Sequence, residues 1–559
     1  MASLQWIGKD AVVGHHRDVP YHLLKPDSTR SVGEGDGQGH GIGSGNLLVQ
    51  GDNLLALKAL LPYYAGKVKC IYIDPPYNTG NEKWVYNDNV NSPEIRQWLG
   101  KVVGKEGETL DRHDRWLCMM YPRLALLKEF LAPDGVIWVS MDESEPHLLR
   151  MLMDEVFDRA RFLSSVIWKK RSSPDARATI GNVHDYLMCY VNDPREPKKA
   201  VGKLKLSQKR VDSYDNQDND PRGPWASVDM TGMTGRATAE QYYELTLPSG
   251  RTVKPPEGRS WGLAEATFLA MRADNRIWFG KNGNNVPRMK KFLSESEGQV
   301  IPSFWGMEDV GTNDEAKKQI NEILERPDAF DTPKPVELLE RILQVSTAGV
   351  KDAIVMDSFG GSGTTAHALL AMNHSDGGNR RFITIEMDET IARDITAQRL
   401  KKIIEGYEIA GGRAGGGRAA AGGRRANTVP GLGGGFRFVT LGDPVFNEDG
   451  QVRPGVRFAE LAAHIFFTET GEPIPKSVNG KRTPLIGTVR GTAYYLLFNG
   501  ILGDKRPDGG NVLTGDVLDQ LPAHDGPRVV FGEACKLGAA RLTRARVTFR
   551  QIPYQIQMS

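Results

Sequence analysis

A doubly wound, mostly parallel α/β sheet is the fold class this sequence predicts, on three observations. Four short apolar runs, "KCIYID", "GVIWVSMD", "DAIVMD" and "FITIEMD", are rich in β-branched residues and each carries an acid at its end, the pattern of buried parallel strands. Helical segments separate them, among them "PRLALLKEFL" (122–131) and "TTAHALLAM" (364–372). These read as crossover helices, the first started by its proline. A glycine-rich turn, "SFGGSG", joins one run to a helix start. In such sheets ligands gather at the carboxyl ends of the strands, so the residues after each run are the candidates for chemistry.

At 559 residues the chain is long enough for more than one domain. Its apolar and charged fractions, 40% and 25%, are those of a soluble globular protein. No signal-peptide pattern follows Met1 and no run of 18 apolar residues occurs, so a cytoplasmic protein with no membrane partner is expected. The four cysteines, Cys70, Cys118, Cys189 and Cys535, form no CxxC pair, and neither a zinc site nor a disulfide framework is expected. A formal net charge of +2 means that any nucleic-acid surface must be local. Residues 169–210 carry eleven Lys or Arg against four Asp or Glu; a solvated face is the competing reading of that run.

Two stretches punctuate the chain. "SVGEGDGQGHGIGSG" (31–45) reads as a flexible loop, and "GGRAGGGRAAAGGRR" (411–425) as a linker.

The turn in "DAIVMDSFGGSGTTAHALL" lets the backbone approach a ligand closely at Gly360, Gly361 and Gly363, with amides at the helix start facing an anionic group. No Lys precedes Thr364, so this is not a phosphate-cradling P-loop, and the spacing is not G-x-G-x-x-G. A smaller anion such as an amino-acid carboxylate suits it. Glu386, ending "RFITIE", stands about one βαβ unit later, where an acid can accept the hydrogen bonds of a ribose diol; helix capping is the alternative. A nucleoside with an amino-acid tail meets both demands, and S-adenosylmethionine is one.

"IYIDPPYNTGN" ends a buried strand with Asp74, Pro75, Pro76 and Tyr77. Two prolines cannot continue a sheet, so the strand end is a rigid platform. An exocyclic amine on adenine or cytosine is a poor nucleophile, its lone pair being delocalised into the ring. It must be held in line, its N–H groups accepted by fixed oxygens. The Asp74 carboxylate and the Pro75 carbonyl can be those oxygens, and Tyr77 can stack on the base. Such stacking is worth roughly 1–3 kcal/mol, comparable to the cost of flipping a base.

With "DPPYNTGN" preceding "DSFGGSGTT", the sequence resembles the amino-group DNA methyltransferases in which the catalytic motif comes first. It is most similar to the Mod-type methylase subunits of type III restriction–modification systems. "LLVQGDNLLALKALL", "NVHDYLMCYV", "RIWFGKNG" and "TPKPVELLERIL" resemble segments of that family, and the likeness spans residues 47–404. It implies a catalytic clamp of Asp74, Pro75, Pro76 and Tyr77. For the cofactor, S-adenosylmethionine, it implies Asp357, Phe359, Gly360, Gly361, Gly363 and Thr364 at the turn and Glu386 at the ribose. Asp52 is implied beside the adenine, with Thr332 and Lys334 of "TPKP" at the methionine end. Asp142 belongs on the same rim or caps a helix. The implied fold is Rossmann-like, the partners are double-stranded DNA and a second copy of the chain as a homodimer, and a separate restriction subunit would supply helicase and nuclease activity.

The expected organisation is an N-terminal segment (1–46), a catalytic half (47–192), a target-recognition insertion (193–328), a cofactor half (329–408), a linker (409–434) and a small C-terminal α/β domain (435–559). Lys169, Lys170, Arg171 and Lys281 are the expected phosphate contacts. Residues 207–257 are expected to vary with the target, and Trp225, Trp261, Trp278 and Trp305 to be core rather than stacking platforms. "EACK" (533–536) lacks the spacing of a nuclease motif. N6 of adenine is the expected target. N4 of cytosine, RNA or protein methylation, and a non-catalytic DNA-specificity scaffold are the alternatives. No Pro-Cys pair offers the nucleophile that C5-cytosine chemistry needs.

Overall fold

The computed structural model describes residues 4–33, 45–79, 97, 100–101, 103, 111–409, 427–475, 477–478, 483–503 and 510–552. Most of the loop expected at 31–45 and of the linker expected at 409–434 lies outside the described residues. They form two compact units, Lys203–Ile301 and the remainder of the chain.

The larger unit is built on one ten-stranded sheet. Its strands in chain order are β1 (His22–Val32), β2 (Leu47–Gln50), β3 (Val68–Ile73), β4 (Leu131–Met141), β5 (Phe162–Lys169), β6 (His184–Val191), β7 (Phe304–Trp305), β8 (Ile354–Asp357), β9 (Arg381–Glu386) and β10 (Phe436–Pro444). Across the sheet they run β1-β10-β2-β9-β8-β3-β4-β6-β5-β7. The six from β10 to β4 are mutually parallel, and β1 and β6 are antiparallel to their neighbours. The four apolar runs are therefore β3, β4, β8 and β9, and their side chains are almost all buried, as parallel strands covered on both faces must be.

Helices α1 (Asn53–Tyr64), α2 (Arg112–Phe130), α3 (Asn313–Leu324), α4 (Val336–Ser346), α5 (Thr364–Asp376) and α6 (Ala397–Glu405) accompany the sheet. Pro122 does not start a helix: α2 begins ten residues earlier, capped by Asp111, and carries Pro122 in its interior. Burial of Trp116, Met119, Met120, Leu124 and Leu127 on one side stabilises the helix despite the hydrogen bond the proline removes.

Two boundaries fall elsewhere than expected. Residues 302–328 belong to the larger unit, where Trp305 pairs with Trp168 at the sheet edge and its ring lies 6.0 Å from Trp138. Strand β10, expected in the C-terminal domain, lies inside the main sheet between β1 and β2, with Phe436 and Phe438 fully buried. Beyond it, helix α7 (Phe458–Thr470) packs on strands Leu485–Val489, Thr492–Leu496, Arg528–Gly532 and Val547–Gln551, through Phe466, Ile486, Leu496 and Phe531.

The smaller unit has its own core of Met230, Leu245, Leu247, Trp261, Phe268 and Ile277. A three-stranded antiparallel sheet, Ile277–Trp278, Arg288–Phe292 and Trp225–Asp229, supports it. The fully buried Lys290 ammonium is neutralised there by Asp218 and, at 3.2 Å, Asp220. Leu204 and Gln299 exchange backbone hydrogen bonds, closing the unit's two ends together. Trp225, Trp261 and Trp305 are buried and Trp278 half-buried, 5.2 Å from Trp225, so the tryptophans are core.

Candidate active site

Strands β3 and β8 are neighbours, with Met356 opposite Ile71, so the residues that follow them emerge side by side at one edge of the sheet. They open on one cleft, walled by Tyr72 and Asp74 on one side and by Asp357, Phe359, Gly360 and Gly361 on the other. The segment leading into α4 closes it with Phe330, Thr332, Pro333 and Lys334, and Thr364 contributes the start of α5. Two stretches nearly 290 positions apart in the chain thus share one site.

On the clamp side, the Asp74 carboxylate is held at both oxygens. Oδ1 accepts the Tyr77 hydroxyl at 2.7 Å, and Oδ2 accepts the Lys334 ammonium at 2.5 Å. That ammonium also lies 5.1 Å from the centre of the Tyr77 ring, within reach of a cation–π attraction. Burial, then the nearby Asp74 charge, pushes the Tyr77 phenol well above its ordinary range, so it stays a hydrogen-bond donor. The Trp116 indole N–H donates to the Pro76 carbonyl at 2.7 Å. Among the described residues no donor reaches the Pro75 carbonyl. Asn78 follows with a left-handed φ of 58°, and its amide donates at 2.5 Å to the fully buried Glu145 carboxylate.

On the turn side, Gly363 caps α5 with φ 78°, a conformation costly for any residue with a Cβ. A Cβ on Gly360 would lie 2.4 Å from the Thr384 methyl and 3.1 Å from the Ile385 carbonyl, so the turn presses directly onto β9. Asp357 accepts the Phe359 N–H at 3.1 Å and the Thr365 hydroxyl at 2.5 Å. Burial nevertheless raises its carboxyl to about 7. Glu386 stands behind the turn rather than in the cleft lining: it is 2% exposed, and its oxygens accept the Gly361 and Asp388 N–H groups, each at 2.8 Å.

Asp52 caps α1 through the Leu55 N–H at 3.0 Å and pairs with the buried Arg123 at 3.2 Å. The adjacent Asn53 amide donates to the Ser358 carbonyl at 3.2 Å, tying the "GDN" segment to the turn. Asp142 accepts the Ser144 N–H at 2.8 Å, closing a turn rather than capping a helix, and burial raises its carboxyl to about 6.

Sequence reasoning missed three residues that hold this site: Trp116, Glu145 and Arg399. Arg399 is 1% exposed. Its guanidinium donates to the Ser362 hydroxyl at 3.0 Å, the Thr364 hydroxyl at 2.9 Å and His367 Nδ1 at 3.1 Å. None of the three lies in a motif, and their partners are remote in sequence; only the amphipathic pattern of α6 marks Arg399 as inward-facing.

The expected phosphate contacts fare unevenly. Lys170 is not available as one, because its ammonium lies 2.6 Å from the buried Asp185 carboxylate, which needs a counter-charge. Lys169 is half-buried; Arg171 is exposed, as is Lys281 in the smaller unit. Within the basic run, Arg177, Arg195 and Lys199 pair with Asp175, Asp193 and Glu196. Much of its charge is thus balanced locally.

The chain aligns with the StyLTI Mod subunit of a type III restriction-modification enzyme from Salmonella typhimurium, 32% identical over 71% of this chain and 60% of that protein. It also aligns with the EcoPI Mod subunit from Escherichia phage P1, 30% identical over 71% of this chain and 65% of that protein. The chain thus spans under two thirds of the length of these relatives. The type II methyltransferase M.KpnI of Klebsiella pneumoniae matches at 27% identity over 64% of this chain and 87% of that protein. The sequence profile of the DNA methylases matches residues 68–398, a stretch that includes the clamp, the turn and the strands that carry them. Since that match covers more than half of the chain, the protein belongs to the DNA methylase family.

Proposed function

We propose that this chain methylates the N6 amine of adenine in duplex DNA, with S-adenosylmethionine as methyl donor, as the modification subunit of a type III-like restriction–modification system. The observation that carries the reading is the shared cleft: the Asp74 carboxylate that heads the clamp lines it together with the glycine-rich turn at the start of a helix. The cleft residues fit the cofactor. A helix start with two hydroxyls, Ser362 and Thr364, backed by the buried Arg399 charge suits a carboxylate. The Gly360 contact with β9 leaves no room there for a side chain, so the turn packs flat on the strand, while Gly360 and Gly361 themselves line the cleft. Asp52, Thr332, Asp357, Phe359 and Glu386 are assigned to hold or shape its place.

When bound, the cofactor supplies an electrophilic methyl group. Asp74 and the Pro75 carbonyl would accept the two N–H groups of a flipped base, favouring sp³ character at nitrogen and withdrawing its lone pair from conjugation with the ring. Tyr77 supplies an aromatic face, and Lys334 holds the Asp74 carboxylate in place. As nitrogen takes the methyl carbon, the sulfur–methyl bond of the cofactor would break with its electron pair left on sulfur, and nitrogen would lose one proton to solvent. The names of the relatives, Mod subunits of restriction-modification enzymes, favour a separate restriction subunit as partner; a homodimer is part of the proposal as well. Arg171 and Lys281, both exposed, remain assigned to phosphate contacts, and the half-buried Lys169 is the weaker candidate.

The test uses the full chain, labelled S-adenosylmethionine and PCR-amplified duplex DNA, followed by digestion to nucleosides. N6-methyladenine is the expected product. N4-methylcytosine would move the reading to its nearest rival, and DNA left unlabelled while RNA or protein takes up methyl would end it. Asp74→Ala is expected to abolish transfer while S-adenosylmethionine still binds.

A further inference from the structure

A clamp made of two prolines is rigid along its own backbone, but that does not decide which way its carbonyls point. Asp74, Pro75 and Pro76 present three successive carbonyls with no N–H on either proline to pin them by ladder pairing. Something outside the motif must choose which carbonyl faces the cleft and which faces the core.

Two fully buried side chains make that choice. Trp116, in the second turn of α2 and 0% exposed, donates its indole N–H to the Pro76 carbonyl at 2.7 Å. This takes Pro76 out of use and leaves the carbonyl of Pro75 as the prolyl acceptor without a donor among the described residues. One residue past the clamp, Asn78 is held in a left-handed conformation with its amide on Glu145 Oε1 at 2.5 Å. The same Glu145 oxygen lies 2.5 Å from His113 Nδ1, and the other, Oε2, is buried with no partner. The hydrogen bonding of this buried carboxylate is thus concentrated on Asn78 and His113. Because α2 supplies both Trp116 and His113, one rigid helix registers both ends of Pro76-Tyr77-Asn78.

We infer that Trp116 and Glu145 are positioning residues for methyl transfer: by holding the Pro76 carbonyl and the Asn78 amide from behind, they select the Pro75 carbonyl as the acceptor for the target amine. This rests on the proposed amino-methyltransferase reading. Neither residue lines the cleft; both act through the clamp. Removing the indole N–H frees the Pro76–Tyr77 peptide plane to rotate and loosens the preceding prolyl unit with it, and misplacement of an acceptor by about 1 Å costs roughly a hundredfold in rate.

Trp116→Phe keeps an aromatic ring in the core and deletes only the donor and part of the bulk; Glu145→Gln keeps an acceptor for Asn78, while Glu145→Ala removes it. Single-turnover methylation of PCR-amplified duplex DNA is measured beside the KM for S-adenosylmethionine and the melting temperature. Trp116→Phe is expected to slow transfer roughly 10- to 100-fold with KM changed less than about twofold. Glu145→Ala should slow it comparably, and Glu145→Gln should recover most of the loss. Transfer at the wild-type rate in both Trp116→Phe and Glu145→Ala would overturn the inference. So would losses that track KM or melting temperature, or a Glu145→Gln variant no better than Glu145→Ala, since those patterns belong to core packing alone. A wild-type protein that methylates no DNA would instead refute the reading on which the inference rests.

Discussion

Lys334 and Asp74, 260 positions apart, meet as an ion pair with Nζ 2.5 Å from Oδ2, each side chain largely withdrawn from solvent. The pair joins the segment entering α4 to the end of β3 and places a cation beside the Tyr77 ring. Lys334, assigned by resemblance to the methionine end of the cofactor, therefore also touches the clamp.

Replacing Lys334 with Met keeps the length of the side chain and leaves the Asp74 carboxylate without its counter-charge. Breaking a buried pair in this one-sided way costs roughly 3–5 kcal/mol, and a loss toward the lower end is expected because Asp74 keeps 15% exposure. Urea denaturation measures it. Methyl transfer is expected to fall more in kcat than in KM, because the aim of the carboxylate matters only as the amine attacks.

Asp357 gives the fold a pH dependence of definite sign. Its carboxyl is raised by burial to about 7, above the ordinary 3.8, so between those values the folded state binds more protons than the unfolded chain. Stability from this group is full below about pH 4 and is lost as pH rises through about 7. Asp357→Asn should flatten that part of the profile. Denaturation midpoints of both proteins from pH 5 to 8 check it, and parallel profiles would contradict it.

Gly360→Ala should destabilise the turn, because the new methyl group would meet the Thr384 methyl at 2.4 Å. Overpacking of this kind costs about 1–3 kcal/mol. Adding Thr384→Ser removes the obstructing methyl, so the double variant should recover part of the loss but not all, the Ile385 carbonyl remaining 3.1 Å away. Melting temperatures of the two variants and of Thr384→Ser alone give the coupling.

Arg399→Met should preserve packing while deleting the donors to Ser362 and Thr364. Burial lowers the guanidinium to about 10, so it remains charged at neutral pH. Charge-assisted hydrogen bonds contribute about 1.5–3 kcal/mol. Losing that polarisation at the helix start should weaken S-adenosylmethionine binding roughly tenfold, measured by calorimetry, while an uncharged nucleoside such as adenosine binds as before.

The strands, their parallel sense and the two motifs were legible because they are local. A buried strand shows as an apolar run, a turn that must approach a ligand shows as glycine, and a rigid strand end shows as two prolines. The extent of α2 was not legible, since an interior proline resembles a start signal unless the burial of the preceding turns is known. Nor was the place of β10, a short apolar run whose neighbours β1 and β2 lie near the other end of the chain. The loss of Lys170 as a phosphate contact depended on a buried acid 15 residues away that the charge count treats as solvated.

The amino-acid order by itself determined the fold class, the clamp Asp74-Pro75-Pro76-Tyr77 and the turn Gly360–Gly363, because each is a short-range demand on backbone conformation. Only the tertiary structure decided that Lys334 sits on Asp74, that Trp116 takes the Pro76 carbonyl, and that Arg399 backs Ser362 and Thr364. Those are contacts between side chains from separate elements. Their geometry follows from how helices and strands pack, which no local stretch of the chain encodes.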